Sequence, residues 1–178
     1  MQIIFIIRKR YKMNIELLST RYRVRPIKTA DIPEVLELCK GNPLYYKYCP
    51  PAVSIESIQK DLEVLPPGKT PVDKYYLGFY NNESLVAVMD IVFGYPNTET
   101  VCIGFFMMER LMQGKGVGTS IITEACQYFK MMGYSFARLG YIKNNSQSKA
   151  FWIKNYFEKT GIEVQTEDRV IVTMQRTL

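Results

Sequence analysis

The chain contains no histidine among its 178 residues. This absence excludes catalysis by a Ser-His-Asp triad or a Cys-His pair, and it excludes every zinc site that uses imidazole ligands. The four cysteines lack the CxxC spacing of a metal or redox site, so we interpret them as reduced structural thiols of a cytoplasmic protein. We therefore expect no bound metal ion. The cysteines are Cys39, Cys49, Cys102 and Cys126.

Long apolar runs are also scarce near the N-terminus. The run Ile3–Ile7 is too short for a signal-peptide core or a membrane span, and the basic residues follow it instead of preceding it. We expect no membrane association. Residues 1–20 are interpreted as an N-terminal extension that starts naturally at either Met1 or Met13, and residues 21–178 as a single domain.

Length and charge narrow the class of protein. A chain of 178 residues that is 47% hydrophobic can bury one sizeable core but is too short for two full domains. The net charge of +6 favours an acidic partner, such as a phosphate-rich cofactor or nucleic acid. Because the cations are scattered and no RNA-binding signature is visible, a nucleic-acid-binding domain is the weaker alternative.

Hydrophobic periodicity predicts a mixed α/β order of β, α, α, β, β, β, α, β, α, β, β. The predicted helices run from Thr29 or Asp31 to Cys39, from Ser54 to Leu65, from a glycine-rich loop to Gly133, and from Gln147 to Lys159. The predicted strands are Tyr22–Pro26, Lys74–Tyr80, Leu85–Phe93, Glu99–Met108, Phe136–Ile142, Glu163–Thr166 and Val170–Met174.

The glycine-rich loop reads QGKGVGTS, from Gln113 to Ser120. Glycines on alternate positions let successive backbone N–H groups converge on one anion, and the helix that follows adds its own free N–H groups and the positive end of its dipole. A Walker A loop is excluded because Thr119 stands where its second glycine is needed, and the dinucleotide fingerprint fails in both frames. The remaining pattern is Q-x-x-G-x-G between a strand and a helix, which favours a phosphate site, with a flexible glycine turn as the alternative.

A second motif lies about thirty residues downstream of this loop. The segment NSQSKAFWIKNYF, Asn145–Phe157, is similar to the pattern N-x-x-A/S-x-x-F-Y-x-K-x-G-F. The shared positions are Asn145, Ser148, Phe151, Lys154 and Phe157. With the glycine-rich loop and the final VIVTMQRTL strand, this segment resembles the GNAT superfamily of acyl-CoA-dependent N-acetyltransferases over about residues 21–178.

The resemblance implies a mixed α/β fold with a mostly antiparallel central sheet of about six to seven strands. In that fold strands four and five splay apart, and about four helices flank the sheet. It also implies acetyl-CoA as the cosubstrate, with the pantetheine arm on the splayed strand and the pyrophosphate on the loop. The cofactor-binding residues implied are Phe106, Met107, Met108, Gln113, Gly114, Lys115, Gly116, Val117, Gly118, Thr119, Asn145, Ser148, Phe151 and Trp152.

The catalytic residues are less clearly marked. Direct attack of an amine on a thioester needs a route for the ammonium proton and an acid for the leaving thiolate. Where family members often have an acidic tyrosine, this chain has Trp152, and where some carry a glutamate base it has Cys102. Tyr156, one helical turn beyond Trp152, is a candidate acid that could project toward the same wedge. The candidate bases are Asp90 and Glu99, and proton relay through water is the alternative.

We therefore predict an N-acetyltransferase that moves an acetyl group to an amine on a small molecule, a peptide or a protein. The missing tyrosine also allows a catalytically weak or inactive acyl-CoA-binding module, and homodimer formation is left open. The segment with Tyr45, Tyr46 and Tyr48 is interpreted as a loop that either contributes to the acceptor pocket or simply packs on the domain.

Overall fold

The computed structural model describes residues 13–178. Its strands are β1 (Arg23–Pro26), β2 (Lys74–Asn81), β3 (Ser84–Phe93), β4 (Thr100–Met108), β5 (Phe136–Ile142), β6 (Glu158–Gln165) and β7 (Val170–Thr177). Its α-helices are α1 (Ile32–Lys40), α2 (Pro43–Tyr48), α3 (Ile55–Glu63), α4 (Val117–Met131) and α5 (Ser146–Lys154). The predicted mixed α/β fold is confirmed.

One seven-stranded sheet organises the molecule, with the strand order β1-β2-β3-β4-β5-β7-β6. Neighbouring strands are antiparallel except β4 and β5, which are parallel. These two pair only where Thr100–Ile103 lies beside Phe136–Leu139, so they separate toward their C-terminal ends. The predicted splay between strands four and five is present.

Both faces of the sheet are covered, which explains the nearly continuous apolar sequence of β3. On one face, Ile121, Ile122 and Phe129 of α4 pack into the larger core. On the other face, Val35 of α1 and Ile58 of α3 belong to a second core cluster. Helices therefore pack on both faces of the sheet. The gap between the splayed ends of β4 and β5 lies within this packed structure.

The segment after α1 was predicted to be a loop, and that prediction is wrong. It forms α2, a helix of six residues with Pro43 at its first position, where a proline is well tolerated because that N–H would be unpaired anyway. The next helix begins as predicted at Ser54, whose side chain accepts a hydrogen bond from the N–H of Ser57 at 3.1 Å.

The predicted end of α5 at Lys159 is also wrong, because the helix ends at Lys154. The N–H of Phe157 donates to the carbonyl of Trp152 at 3.0 Å, and the N–H of Tyr156 donates to that of Ile153 at 3.0 Å. This pair of bonds is the Schellman arrangement that closes a helix, with Tyr156 in the left-handed conformation at φ 65°. Glycine is the usual residue there, so the sequence carried no stop signal.

The N-terminal part of the described chain packs on α4. Leu18 is fully buried in the larger core, and the N–H of Asn14 donates to the hydroxyl of Tyr128 at 3.0 Å. The predicted extension over residues 1–20 lies partly outside the described residues. Across residues 13–178, no helix combines the length and the apolar composition needed to cross a bilayer.

Leu18→Ala tests whether this segment belongs to the folded domain. We expect it to lower the free energy of unfolding by about 2–5 kcal/mol, because it leaves a cavity in the core. Leu17→Ala is the matched control, since Leu17 is 54% exposed, and it should change the stability by less than about 0.5 kcal/mol. Urea denaturation measures both variants, and equal effects would contradict the assignment of Leu18 to the core.

Candidate active site

The splay between β4 and β5 opens into a groove of about 520 Å³, and we refer to it as the groove. Of the fourteen residues predicted to bind a cofactor, Lys115 and Val117 do not line it and the other twelve do. Lys115 is exposed, and the side chain of Val117 is buried in the core. The twelve are Phe106, Met107, Met108, Gln113, Gly114, Gly116, Gly118, Thr119, Asn145, Ser148, Phe151 and Trp152.

A β-bulge at Gly104 marks the point where β4 leaves β5. On β3, Asp90 pairs with Phe105 and the next residue, Ile91, pairs with Ile103, so Gly104 is the extra residue of β4. A bulge bends and twists the strand that carries it. The pairing of β4 with β5 ends at Ile103, directly before the bulge. Gly104 itself lines the groove.

The bulge leaves no room for a Cβ at Gly104 unless the Asp90 side chain shifts. A Cβ at Gly104 would lie 2.7 Å from Oδ2 of Asp90. The Asp90 carboxylate is itself held in place, since Oδ2 accepts a hydrogen bond from Nζ of Lys74 at 2.7 Å and both side chains are largely buried. Burial raises the pKa of Asp90, and the hydrogen bond from Lys74 opposes that shift.

The glycine-rich loop lies beside the groove and delivers the N-terminus of α4 to it. Gly114 and Gly116 have φ values of 71° and 79°, and apart from each glycine and its chain neighbours no atom of residues 13–178 lies within 4 Å of either Cβ position. Within the described part of the chain, helix α4 begins without a capping side chain and without an acidic residue in its first turn. Its first N–H groups therefore lack, among the described residues, a side-chain partner of the kind that caps most helices.

Gly118 is glycine for a different reason. It is buried, and a Cβ there would lie 3.0 Å from Sδ of Met108 and 3.1 Å from the Phe151 ring. The absent side chain lets the first turn of α4 approach the end of β4 and helix α5 closely.

Two side-chain amides join the loop to the end of β4. Nε2 of Gln113 donates to Oδ1 of Asn42 at 2.6 Å. Nδ2 of Asn42 donates to the carbonyl of Met108 at 3.0 Å and to that of Leu38 at 2.9 Å. Asn42 also lines the groove, although it was not among the predicted site residues.

Aromatic rings line the side of the groove formed by β4 and α5. Phe106 stacks on Phe151 with the ring centroids 5.8 Å apart, and Trp152 lies edge-on to Phe151 at 4.9 Å. Trp152 is buried and also contacts Phe157, so its large ring fills the space below α5. Asn145 caps this helix by accepting a hydrogen bond from the N–H of Ser148 at 3.0 Å.

The predicted catalytic residues are not brought together. Tyr156 is 75% exposed outside the groove, where its ring lies 5.4 Å from the guanidinium of Arg176. Glu99 is exposed before the first residue of β4, about 16 Å along the strand from Gly104. Asp90 lies behind Gly104 and does not line the groove. Burial raises the pKa of the Cys102 thiol to about 11, which disfavours its thiolate.

Two tyrosines line the groove: Tyr141, which was not predicted at the site, and Tyr45, whose segment was predicted either to contribute to the acceptor pocket or to pack on the domain. Tyr141 on β5 is 5% exposed, and Tyr45 on α2 packs edge-on against Phe105 with the centroids 5.7 Å apart. Alternation along the predicted strand puts Tyr141 on the same face as Leu139, which is a core position, so no local signal marked Tyr141 as a groove residue. Arg110 and Lys154 also line the groove and add positive charge.

Comparison with known proteins gives a family match. The model of the Acetyltransferase (GNAT) family matches residues 42–156. This range includes the glycine-rich loop and all the residues that line the groove. No curated protein matches the chain.

Solved structures share the fold at low sequence identity. An acetyltransferase from Thermus thermophilus is 20% identical with a TM-score of 0.68, and the match covers 88% of this chain and 97% of that one. PaiA N-acetyltransferase from Thermoplasma acidophilum, in complex with coenzyme A, is 16% identical with a TM-score of 0.63, covering 88% and 99%. A ribosomal-protein alpha-N-acetyltransferase, RimL, is 14% identical with a TM-score of 0.67, covering 90% and 92%.

Gly104→Ala tests the packing at the bulge. The added Cβ must displace Asp90 from Lys74, so we expect a loss of about 1–3 kcal/mol in the free energy of unfolding, measured by urea denaturation. In an Asp90→Ala background the same substitution should cost far less, because the clash is gone. Additive effects of the two substitutions would show that the Asp90 side chain does not restrict this position.

Proposed function

The chain belongs to the GNAT acetyltransferase family, and we propose that it transfers the acetyl group of acetyl-CoA to a primary amine. The observation that carries this proposal is a groove that combines a splayed pair of strands with a glycine-rich loop at a helix N-terminus. A linear molecule with a phosphate-rich end and a peptide-like arm fits these two features together. Acetyl-CoA has both parts and is the acyl donor that the family implies.

The phosphate end of acetyl-CoA fits the loop. The open space at Gly114 and Gly116 leaves room for the pyrophosphate beside the first N–H groups of α4. Arg110 and Lys154 line the same groove and can offset part of the phosphate charge. The helix contributes the positive end of its dipole without competition from an acidic side chain in its own first turn.

The pantetheine arm fits the splayed strands. Beyond Ile103, β4 pairs with β3 on one side only, and beyond Leu139, β5 pairs with β7 only. An extended arm with two amide groups can bond to such an open edge in the manner of an added strand. This arrangement directs the thioester toward the narrow end of the groove, where Gly104 and Gly140 lie.

Tyr141 is the residue we assign as the general acid. It lies two residues beyond Leu139, the last residue of β5 that pairs with β4, at the narrow end where the thiolate would form, and its hydroxyl can donate one proton. Tyr45 is the other tyrosine in the groove, but burial raises the pKa of its hydroxyl and makes it a poorer proton donor. Trp152 has no acidic proton to give and instead fills the core beneath α5.

We propose that water molecules carry away the ammonium proton of the acceptor amine. Of the two predicted bases, only Asp90 lies near Gly104, and it is buried behind the strand. One of its oxygens is bonded to Lys74 and the other, Oδ1, has no hydrogen-bond partner among residues 13–178. A carboxylate placed there can receive a proton only by relay, which is the water-mediated route that the sequence left open.

Acetyl-CoA should stabilise the protein in a thermal scan. At one hundred times its dissociation constant it should add about 2.7 kcal/mol, or roughly 5–11 °C in melting temperature for a chain of this size. Gly116→Asp should abolish this shift, because it places a negative charge where the pyrophosphate would bind.

The matched control is Gly68→Asp, which puts the same residue at φ 77° in open space away from the groove. Gly68→Asp introduces a backbone strain similar to that of Gly116→Asp, and it should keep the full increase in melting temperature with acetyl-CoA. A parallel assay of free thiol release with a panel of amines tests the transfer itself. Equal shifts with acetyl-CoA, ATP and NAD would refute the cofactor assignment, whereas binding without turnover on any amine would favour an acyl-CoA-binding module.

Tyr141→Phe tests the general acid. The ring and its packing remain while the hydroxyl proton is lost, so acetyl-CoA should still bind and turnover should fall about 10²- to 10⁴-fold. Tyr156→Phe removes the same group from a tyrosine outside the groove and should leave turnover unchanged. Steady-state kinetics on an amine found in the panel measure both variants. Unchanged turnover in Tyr141→Phe would show that Tyr141 is not the general acid.

A further inference from the structure

Helix α2 forms part of the groove wall although it is weakly held. It has only six residues, and none of these six is fully buried. A helix this short is not stable by itself in water, so contacts from outside must maintain it. Leu44 and Tyr45 nevertheless line the groove, and the Tyr45 ring packs against Phe105 of β4.

The two ends of α2 are anchored by different parts of the chain. After its C-terminus, Arg169 from the β6–β7 turn donates to the carbonyl of Pro50 at 2.9 Å and to the sulfur of Cys49 at 2.6 Å. At its N-terminus, Asn42 connects the helix to Met108 and Gln113. Of these two anchors, the N-terminal one leads to the glycine-rich loop.

The hydrogen bonds of the Asn42 side chain are unusual for a residue at a helix N-terminus. An asparagine at this position ordinarily accepts a hydrogen bond from its own helix, but this side chain makes no such bond to α2. Its oxygen accepts from Nε2 of Gln113, and its nitrogen donates to the carbonyls of Leu38 and Met108. Asn42 is 8% exposed, so the whole side chain serves a buried junction of α1, α2, β4 and the loop.

We propose that Asn42 is a positioning residue that couples acyl-CoA binding at the glycine-rich loop to the placement of α2 and Tyr45 in the groove wall. The proposal rests on the function proposed above, because it takes the loop to be the pyrophosphate site. A ligand that orders the loop also fixes Gln113 and therefore the partner of Asn42. By linkage, a ligand that contacts Tyr45 then favours acyl-CoA binding by the same factor.

The magnitude follows from the bond that carries the coupling. Oδ1 of Asn42 and Nε2 of Gln113 form one neutral hydrogen bond, at 2.6 Å. Such a bond supplies about a 2- to 12-fold change in an equilibrium constant. We expect coenzyme A to slow amide hydrogen exchange of residues 43–48 by a factor in this range, in addition to slowing exchange of residues 114–120.

The experiment compares exchange with and without saturating coenzyme A in the full chain. In Gln113→Ala, slowing at residues 114–120 should persist while the ligand-dependent slowing at residues 43–48 is lost. This variant keeps the bonds from Asn42 to Leu38 and Met108 and removes the link from Asn42 to the loop, together with the 3.3 Å bond from Gln113 to the carbonyl of Met108. Asn42→Ala removes the same link together with the bonds to Leu38 and Met108, but it keeps the bond from Gln113 to Met108. It should also lose the ligand-dependent slowing at residues 43–48, which covers the case in which Gln113→Ala binds coenzyme A too weakly.

A purely structural role predicts a different result. It would raise exchange of α2 equally with and without the ligand and leave the ligand-dependent difference intact. Gln147→Ala is the matched control, because it removes another amide side chain from the groove far from α2 in the sequence, and it should retain the difference.

The outcomes separate the two proposals. Slowing at the loop in the parent protein without slowing at residues 43–48 would overturn the coupling and leave acyl-CoA binding intact. Retention of the full difference in both Gln113→Ala and Asn42→Ala would also overturn it. No slowing at residues 114–120 in the parent would refute the proposed function itself, and the coupling with it.

Discussion

The separation of β4 from β5 is the constraint on which the site depends. The two strands are parallel neighbours and would form one continuous ladder, but their pairing stops at Ile103, where Gly104 bulges out of β4. Asp90 fills the space beside Gly104 and is tied to Lys74. A buried ion pair thus lies beside the interruption of the sheet, and the interruption provides the groove.

The same interruption makes the surrounding elements dependent on one another. The open end of β4 cannot be completed by β5, so the carbonyl of Met108 receives hydrogen bonds from Asn42 and Gln113 instead. These bonds hold the loop that opens α4 and the short helix α2 against the same strand end. Elements with few buried residues, such as α2, respond most readily to a ligand in the groove.

Replacement of two small or polar family residues by large rings is explained by packing. Trp152 stands where the family often has a tyrosine, and it is buried against Phe151 and Phe157. Tyr156 stands where a glycine is usual, and it adopts the left-handed conformation at the helix end with its ring outside the groove. Neither change obstructs the groove, and Tyr141 on β5 supplies a hydroxyl from a different element.

The resemblance to the GNAT family predicted twelve of the residues that line the groove. The sequence by itself determined the order of strands and helices except α2, and the position of the glycine-rich loop before α4, because these follow from local signals: periodicity, glycine spacing and helix caps. It could not place Tyr156, since a Schellman ending without glycine leaves no local mark and was read as a longer helix. It also missed Asn42 and the proximity of Asp90 to Gly104. Those depend on contacts between residues distant in the chain, which only the tertiary packing of α1, α2 and β4 decides.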